Sequence, residues 1–186
     1  MKWVLSTIQW GEKILISKTH LFDKTIIRAY DIRGIYNKTL FDLDAKIIGN
    51  LFGLKIGVNK NVNIAYDGRI SSENLKNNLI EGLLEVGANV TDIGLSPTPL
   101  LYFSCVKNNA SGGIMITGSH NPKDHNGFKF VLNNMPFYGD DLIELSENSK
   151  KFSFKSTKGK RTYKCFKDEY IKRIFEGIDL KTNLKP

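Results

Sequence analysis

The chain has 186 residues, 41% of them hydrophobic, with 27 Lys or Arg against 19 Asp or Glu and a formal net charge of +8. That length and apolar content support one large domain, or one domain and part of another, and exclude a disordered chain. No apolar stretch nears the roughly 20 residues that span a bilayer, Trp3-Val4-Leu5 is broken too soon for a secretory leader, and Cys105 and Cys165 alone make no disulfide framework. Cytoplasmic residence with free thiols is the expectation, with no membrane partner. The charge is unevenly placed: residues 1–149 carry 15 basic and 15 acidic side chains, so the whole excess lies in 150–186. Such a tail reads as a solvated helix and linker, or as a contact for nucleic acid or an acidic partner; the aromatic and glycine-rich patterns of nucleic-acid recognition are missing.

Residues 1–20 show no sustained period and read as an N-terminal extension. Ile26-Ile27-Arg28-Ala29-Tyr30 predicts a strand that enters a charged turn at Asp31-Ile32-Arg33-Gly34. Asp42 or Asp44 caps a helix with Ile47, Ile48, Leu51, Phe52 and Leu54 at helical spacing, ending near Gly57. Val62–Tyr66 predicts a strand closed by Asp67-Gly68-Arg69. Ser71 or Ser72 then caps a helix with Leu75, Leu79 and Leu83 on one face and Gly87 as its stop. Val90–Ile93 is a short strand, and a helix follows Pro97-Thr98-Pro99 as far as Lys107. Gly112–Ile116 is a buried strand, Phe128–Leu132 another, and a polar amphipathic helix runs from Asp140 to about Lys151.

Strands alternating with helices of ordinary length predict an α/β fold, a three-layer α/β/α sandwich on a mostly parallel mixed sheet with an antiparallel edge. In such sheets ligands gather at strand ends. Residues 153–162, rich in Ser, Lys and Gly, read as a linker. The segment from Asp168 to Gly177 reads as a helix with Tyr170, Ile171, Ile174 and Phe175 on one side, marginal unless it packs on something.

Chemistry concentrates in Thr117-Gly118-Ser119-His120-Asn121-Pro122, followed by Asn126-Gly127-Phe128-Lys129. Here a hydroxyl sits at a strand end among polar and cationic groups. Gly118 leaves space beside it, and Pro122 fixes its own φ and restricts Asn121, so the turn is accessible and stiff. Ser119 is therefore a candidate nucleophile, the alternative being an ordinary turn serine. A Ser/His hydrolase is disfavoured: adjacent side chains in a turning segment usually point apart, which places His120 badly as a base for Ser119, and no G-x-S-x-G elbow is present. His20 and His125 read as surface residues.

The 117–122 and 126–129 runs closely resemble the phosphoserine loop of the α-D-phosphohexomutases, and Arg28-Ala29-Tyr30-Asp31-Ile32-Arg33-Gly34 resembles that family's N-terminal signature. Asp67-Gly68-Arg69 and Gly94-Leu95-Ser96-Pro97-Thr98-Pro99 are weaker matches in the same order. Tyr-Asp-Ile-Arg-Gly and Gly118 look more like the phosphomannomutase/phosphoglucomutase branch than the phosphoglucosamine branch. The resemblance implies an isomerase that moves phosphate between the 1- and 6-positions of a hexose through phosphoserine. A hexose 1,6-bisphosphate would be the activator and one Mg²⁺ the cofactor. Ser119 would carry the phosphoryl group and ligate the metal through it, Lys129 and Arg33 would stabilise phosphoryl oxygens, and His120 would serve proton transfer. Tyr30, Asn121 and Arg69 would touch the substrate or its phosphate, or simply hold the loop.

The family's later domains carry a D-G-D-G-D-R metal loop and a G-E-x-S-G-H sugar loop, and neither string occurs here. The expectation is a truncated chain: domain I over 21–152, then a linker and the first helix of an incomplete domain II over 153–186. Most Mg²⁺ ligands and the choice of hexose would then lie in absent domains, which could act as a separate partner chain. The rival reading is a non-catalytic remnant or binding module whose basic tail contacts nucleic acid or an acidic partner.

Overall fold

A computed structural model describes residues 7–8 and 15–178; the Trp3-Val4-Leu5 run, much of the expected N-terminal extension and the tail from 179 lie outside the described residues. The elements are β1 (Thr7–Ile8), β2 (Leu15–Lys18), β3 (Ile32–Ile35), α1 (Asp42–Ile56), β4 (Asn61–Tyr66), α2 (Ser72–Glu85), β5 (Asn89–Leu95) and α3 (Thr98–Lys107). They continue with β6 (Gly112–Ile116), β7 (His125–Leu132), β8 (Met135–Phe137), α4 (Asp140–Ser149), β9 (Phe152–Lys155), β10 (Arg161–Tyr163) and α5 (Lys167–Glu176).

The main sheet has the order β10-β5-β4-β6-β7-β3, with β8 also on β7. Its first four strands run parallel, whereas β7, β3 and β8 are antiparallel to their neighbours. Side-chain alternation sends Ile64, Ile114 and Ile116 into the larger core with α1, α2 and α4. Ala65 and Met115 face the opposite way, into a smaller core under α3 with Phe166 at the start of α5. This is the three-layer α/β/α sandwich that the alternation predicts, and Leu75, Leu79 and Leu83 are all fully buried as their spacing requires. No described helix is long and apolar enough to cross a membrane.

Several local expectations shift. The strand expected at 26–30 lies instead over Ile32–Ile35, because this segment supplies the antiparallel ladder to β7, from Ile32 opposite Phe128 to Ile35 opposite His125. Neither Asp42 nor Asp44 occupies the cap of α1. That place is Phe41, whose N–H donates to Asp44 Oδ2 at 2.7 Å, so Asp44 acts from inside the first turn. The other Asp44 oxygen lies 2.6 Å from His20 Nε2, and the imidazole is only 10% exposed. His20 is thus a pairing residue under the fold, not a surface one.

The 153–162 segment, expected as a linker, holds all of β9 but its first residue and begins β10. Its polar composition hides a period of two in which Phe152 and Phe154 point inward. β9 pairs antiparallel with β2, while β10 extends the main sheet beside β5, where Arg161 donates to the buried Asp92 at 2.6 Å. Asn133-Asn134, both at positive φ, make the two-residue turn between β7 and β8.

α5 has no buried residue of its own and is held through its cap Phe166 and through Tyr170, whose ring lies 5.4 Å from that of Phe103 on α3. Tyr170→Ala is expected to cost about 0.5–1.5 kcal/mol locally. Amide exchange should quicken over 167–176 while β4 and β6 keep their protection; acceleration spread evenly through the sheet would contradict this attachment.

Candidate active site

β4 and β6 run parallel with Tyr66 opposite Ile116, so their C-terminal ends bring Asp67 beside Thr117. This register, not local sequence, builds the serine loop. Asp67 Oδ2 accepts the Thr117 hydroxyl at 2.9 Å and the Gly118 N–H at 3.1 Å. Oδ1 accepts the Ser72 hydroxyl at 2.6 Å and the Arg69 N–H at 3.1 Å. Burial pushes the Asp67 carboxyl pKa up, but these hydrogen bonds outweigh it and bring the group below its ordinary value.

Arg69 closes the loop from the other side. Its Nε donates to Asp67 and its two terminal nitrogens to the carbonyls of Ser119, Asn121, Pro122 and His125. Those five acceptors match the five N–H groups of a guanidinium. Arg69 thus spends all five donors on the loop, which is the loop-holding role, one of the two expected of it. A Cβ at position 118 would lie 2.2 Å from Arg69 Cζ, so the glycine makes room for this guanidinium.

Held in this way, Ser119 adopts φ +53°, a left-handed conformation uncommon for a non-glycine residue, with its N–H donated to Thr117 Oγ at 2.8 Å. The bend carries its hydroxyl to 3.2 Å from His120 Nδ1. Adjacency had suggested that the two side chains diverge; the left-handed backbone brings them together. Both residues are exposed.

Ser119 opens onto a cleft of about 810 Å³ that is also lined by Tyr30, Asp31, Arg33, Asn121 and Lys129. Arg33 donates to the Gly118 carbonyl at 2.7 Å and to Asp31 Oδ2, and Lys129 donates to the same Asp31 oxygen at 2.7 Å. One carboxylate thus steadies two cations. Arg28 lines the cleft as well, so its charged lining is three cations to one anion, suited to an anionic ligand. His125 is at this cleft too, not on open surface, and pairs with Asp124 at 2.9 Å.

Ser119, Arg33, Lys129, Tyr30 and Asn121 are thus brought to one place, with His120 against the serine. Asp31 and Asp67 were not expected as site residues, although both stand inside the quoted signature runs. Among the described residues no three His, Cys, Asp or Glu side chains form a group able to hold a metal ion. Asp31 and Asp67 are already committed to cations and N–H groups. The residues present do not by themselves make a Mg²⁺ site, which calls for several oxygen ligands.

The family model described as Phosphoglucomutase/phosphomannomutase, alpha/beta/alpha domain I, matches residues 24–155. The chain belongs to the phosphoglucomutase/phosphomannomutase family. A phosphomannomutase/phosphoglucomutase of Pseudomonas syringae is 40% identical over 163 residues, which cover 87% of this chain and 35% of that protein. A phosphoglucomutase of Neisseria meningitidis is 40% identical over 162 residues, covering 85% and 35%. The crystal structure of a phosphoglucomutase/phosphomannomutase family protein from Burkholderia thailandensis superposes with a TM-score of 0.78 at 35% identity, over 87% of this chain and 38% of that one. The chain therefore spans about a third of the length of the curated relatives it matches. Within the family it corresponds to domain I, and the α/β/α architecture is shared.

Proposed function

We propose that this chain is the phosphoserine-bearing part of a cytoplasmic hexose phosphate mutase, an isomerase acting on glucose or mannose phosphates. The observation that carries the reading is Ser119, held left-handed by Arg69 and Asp67 at the mouth of a cleft with excess positive charge. In the forward step the bond between Ser119 Oγ and phosphorus breaks as a sugar hydroxyl oxygen bonds to phosphorus, and that hydroxyl gives up its proton to water. His120, 3.2 Å from Oγ, returns a proton to the serine oxygen and removes it when the serine is rephosphorylated by a hexose 1,6-bisphosphate. Arg33 and Lys129 offset the charge of the transferring group. Mg²⁺, if bound as the family resemblance implies, would neutralise phosphoryl charge; Ser119 phosphate would give one ligand and polypeptide beyond this span the others. α5 is read as the opening helix of a further domain.

The cleft is tested by titrating the chain with inorganic phosphate and glucose 1-phosphate while following amide resonances. Both should shift Ser119, Arg33 and Lys129, and Lys129→Met should weaken both about tenfold, the scale of one lost charge-assisted hydrogen bond. If neither ligand perturbs the cleft, the reading fails.

A further inference from the structure

β3 and β8 lie end to end along one edge of β7. Ile32 is the last β3 residue to pair there, opposite Phe128, and Phe137 of β8 pairs opposite Phe130. Lys129 falls at the join. The chain entering β3 brings Tyr30 and Asp31 to that join, and the chain leaving β8 brings Tyr138. The Gly139 N–H donates to the Ala29 carbonyl at 2.9 Å and ties the two ends together. Gly139 does so at φ +58° with open space where a Cβ would stand, so the backbone conformation, not crowding, favours glycine there.

This tie sets the Tyr30 and Tyr138 rings 5.8 Å apart and tilted by 36°. Tyr30 is 74% exposed and Tyr138 48%, and neither belongs to a core cluster. Two aromatic rings held side by side in water, one of them lining the cleft of Ser119 and Lys129, form an apolar lip on an otherwise cationic site. Inorganic phosphate has nothing to place on such a lip. A pyranose ring does: its C–H groups on one face complement the electron-rich face of an aromatic ring, while its hydroxyls reach the phenol oxygens.

We propose that Tyr138, together with Tyr30, is a stacking platform for the sugar ring of a hexose phosphate whose phosphate group lies on Lys129 and Arg33. Tyr138 is then a specificity-determining residue, favouring phosphosugars over free phosphate. The proposal rests on the phosphosugar reading of the cleft.

Titration of the full chain with glucose 1-phosphate, mannose 1-phosphate and inorganic phosphate separates the two ideas. The wild type should bind the sugar phosphates about threefold to tenfold more tightly than inorganic phosphate, as one stacking contact provides. Tyr138→Ala should erase that margin without altering affinity for inorganic phosphate, and Tyr138→Phe should retain most of it. A margin that survives in Tyr138→Ala overturns the platform. So does a wild type that binds inorganic phosphate as tightly as the sugars, with the phosphate site left standing. Binding of none of the three removes the phosphosugar reading and the platform with it.

Discussion

Replacing Ser119 with alanine is expected to lower mutase turnover by about 10⁴-fold or more, the scale seen when a covalent nucleophile is removed. The loss is this large because the hydroxyls beside Ser119 in its loop are committed elsewhere. Thr117 spends its hydroxyl on Asp67 and receives the Ser119 N–H, and Ser72 is likewise committed to Asp67. What remains in the variant is the binding part of the cleft: Arg33 and Lys129 still rest on Asp31, and Arg33 still reaches the Gly118 carbonyl. Affinity for inorganic phosphate should therefore change little while turnover disappears. The measurement is conversion of glucose 1-phosphate to glucose 6-phosphate, with Mg²⁺ and a trace of glucose 1,6-bisphosphate. It is made on the chain mixed with the remaining two thirds of the Pseudomonas syringae relative, and mass spectrometry of the tryptic peptide around residue 119 accompanies it. Wild-type mixture should turn over and carry phosphate on Ser119. Turnover by the alanine variant, or phosphate on a different residue, would overturn the assignment.

Ser119 was legible in the sequence because its signals are local: an apolar strand, a glycine, a hydroxyl and a proline within a few positions. Its supports were not. Asp67 lies fifty residues away and reaches Thr117 only because β4 and β6 pair in one particular register, which the strand pattern alone does not specify. Arg69 stayed open between phosphate ligand and loop holder, since an arginine beside an active loop suits either task; the carbonyls around it favour the second. Composition misled at 153–162, where lysines and serines occupy the exposed positions of a strand whose buried positions are Phe152 and Phe154. α1, α2 and α4 were read closely because each buries apolar residues at a 3.6-residue period. Tyr138 carried no signal, as it meets Tyr30 only because the end of β8 is tied to a segment more than a hundred residues earlier.

Asp67→Asn is expected to destabilise the chain by about 2–4 kcal/mol, the scale of breaking a partly buried charged network at one member. The carboxylate accepts from five donors: Ser72, Thr117, the backbone of Arg69 and Gly118, and the Arg69 guanidinium. An asparagine keeps one acceptor oxygen and turns an NH₂ toward the rest, so donors meet donors on one side whichever way the amide is flipped. The guanidinium also loses its counter-charge, and with it the loop loses the staple that holds Ser119 at positive φ. Turnover should fall with stability, whereas the ladder of β4 on β6 should survive. The pH dependence gives an independent check. Asp67 has a lowered pKa in the folded chain, so its stabilisation is complete above the unfolded carboxyl value of about 3.9 and is lost as pH falls through the lower folded value. In urea unfolding, the stability difference between wild type and variant should stay level from about pH 7 to pH 5 and shrink below about pH 4. A difference that grows on acidification, or a variant as stable as wild type at neutral pH, would show that Asp67 is not the anchor of the serine loop.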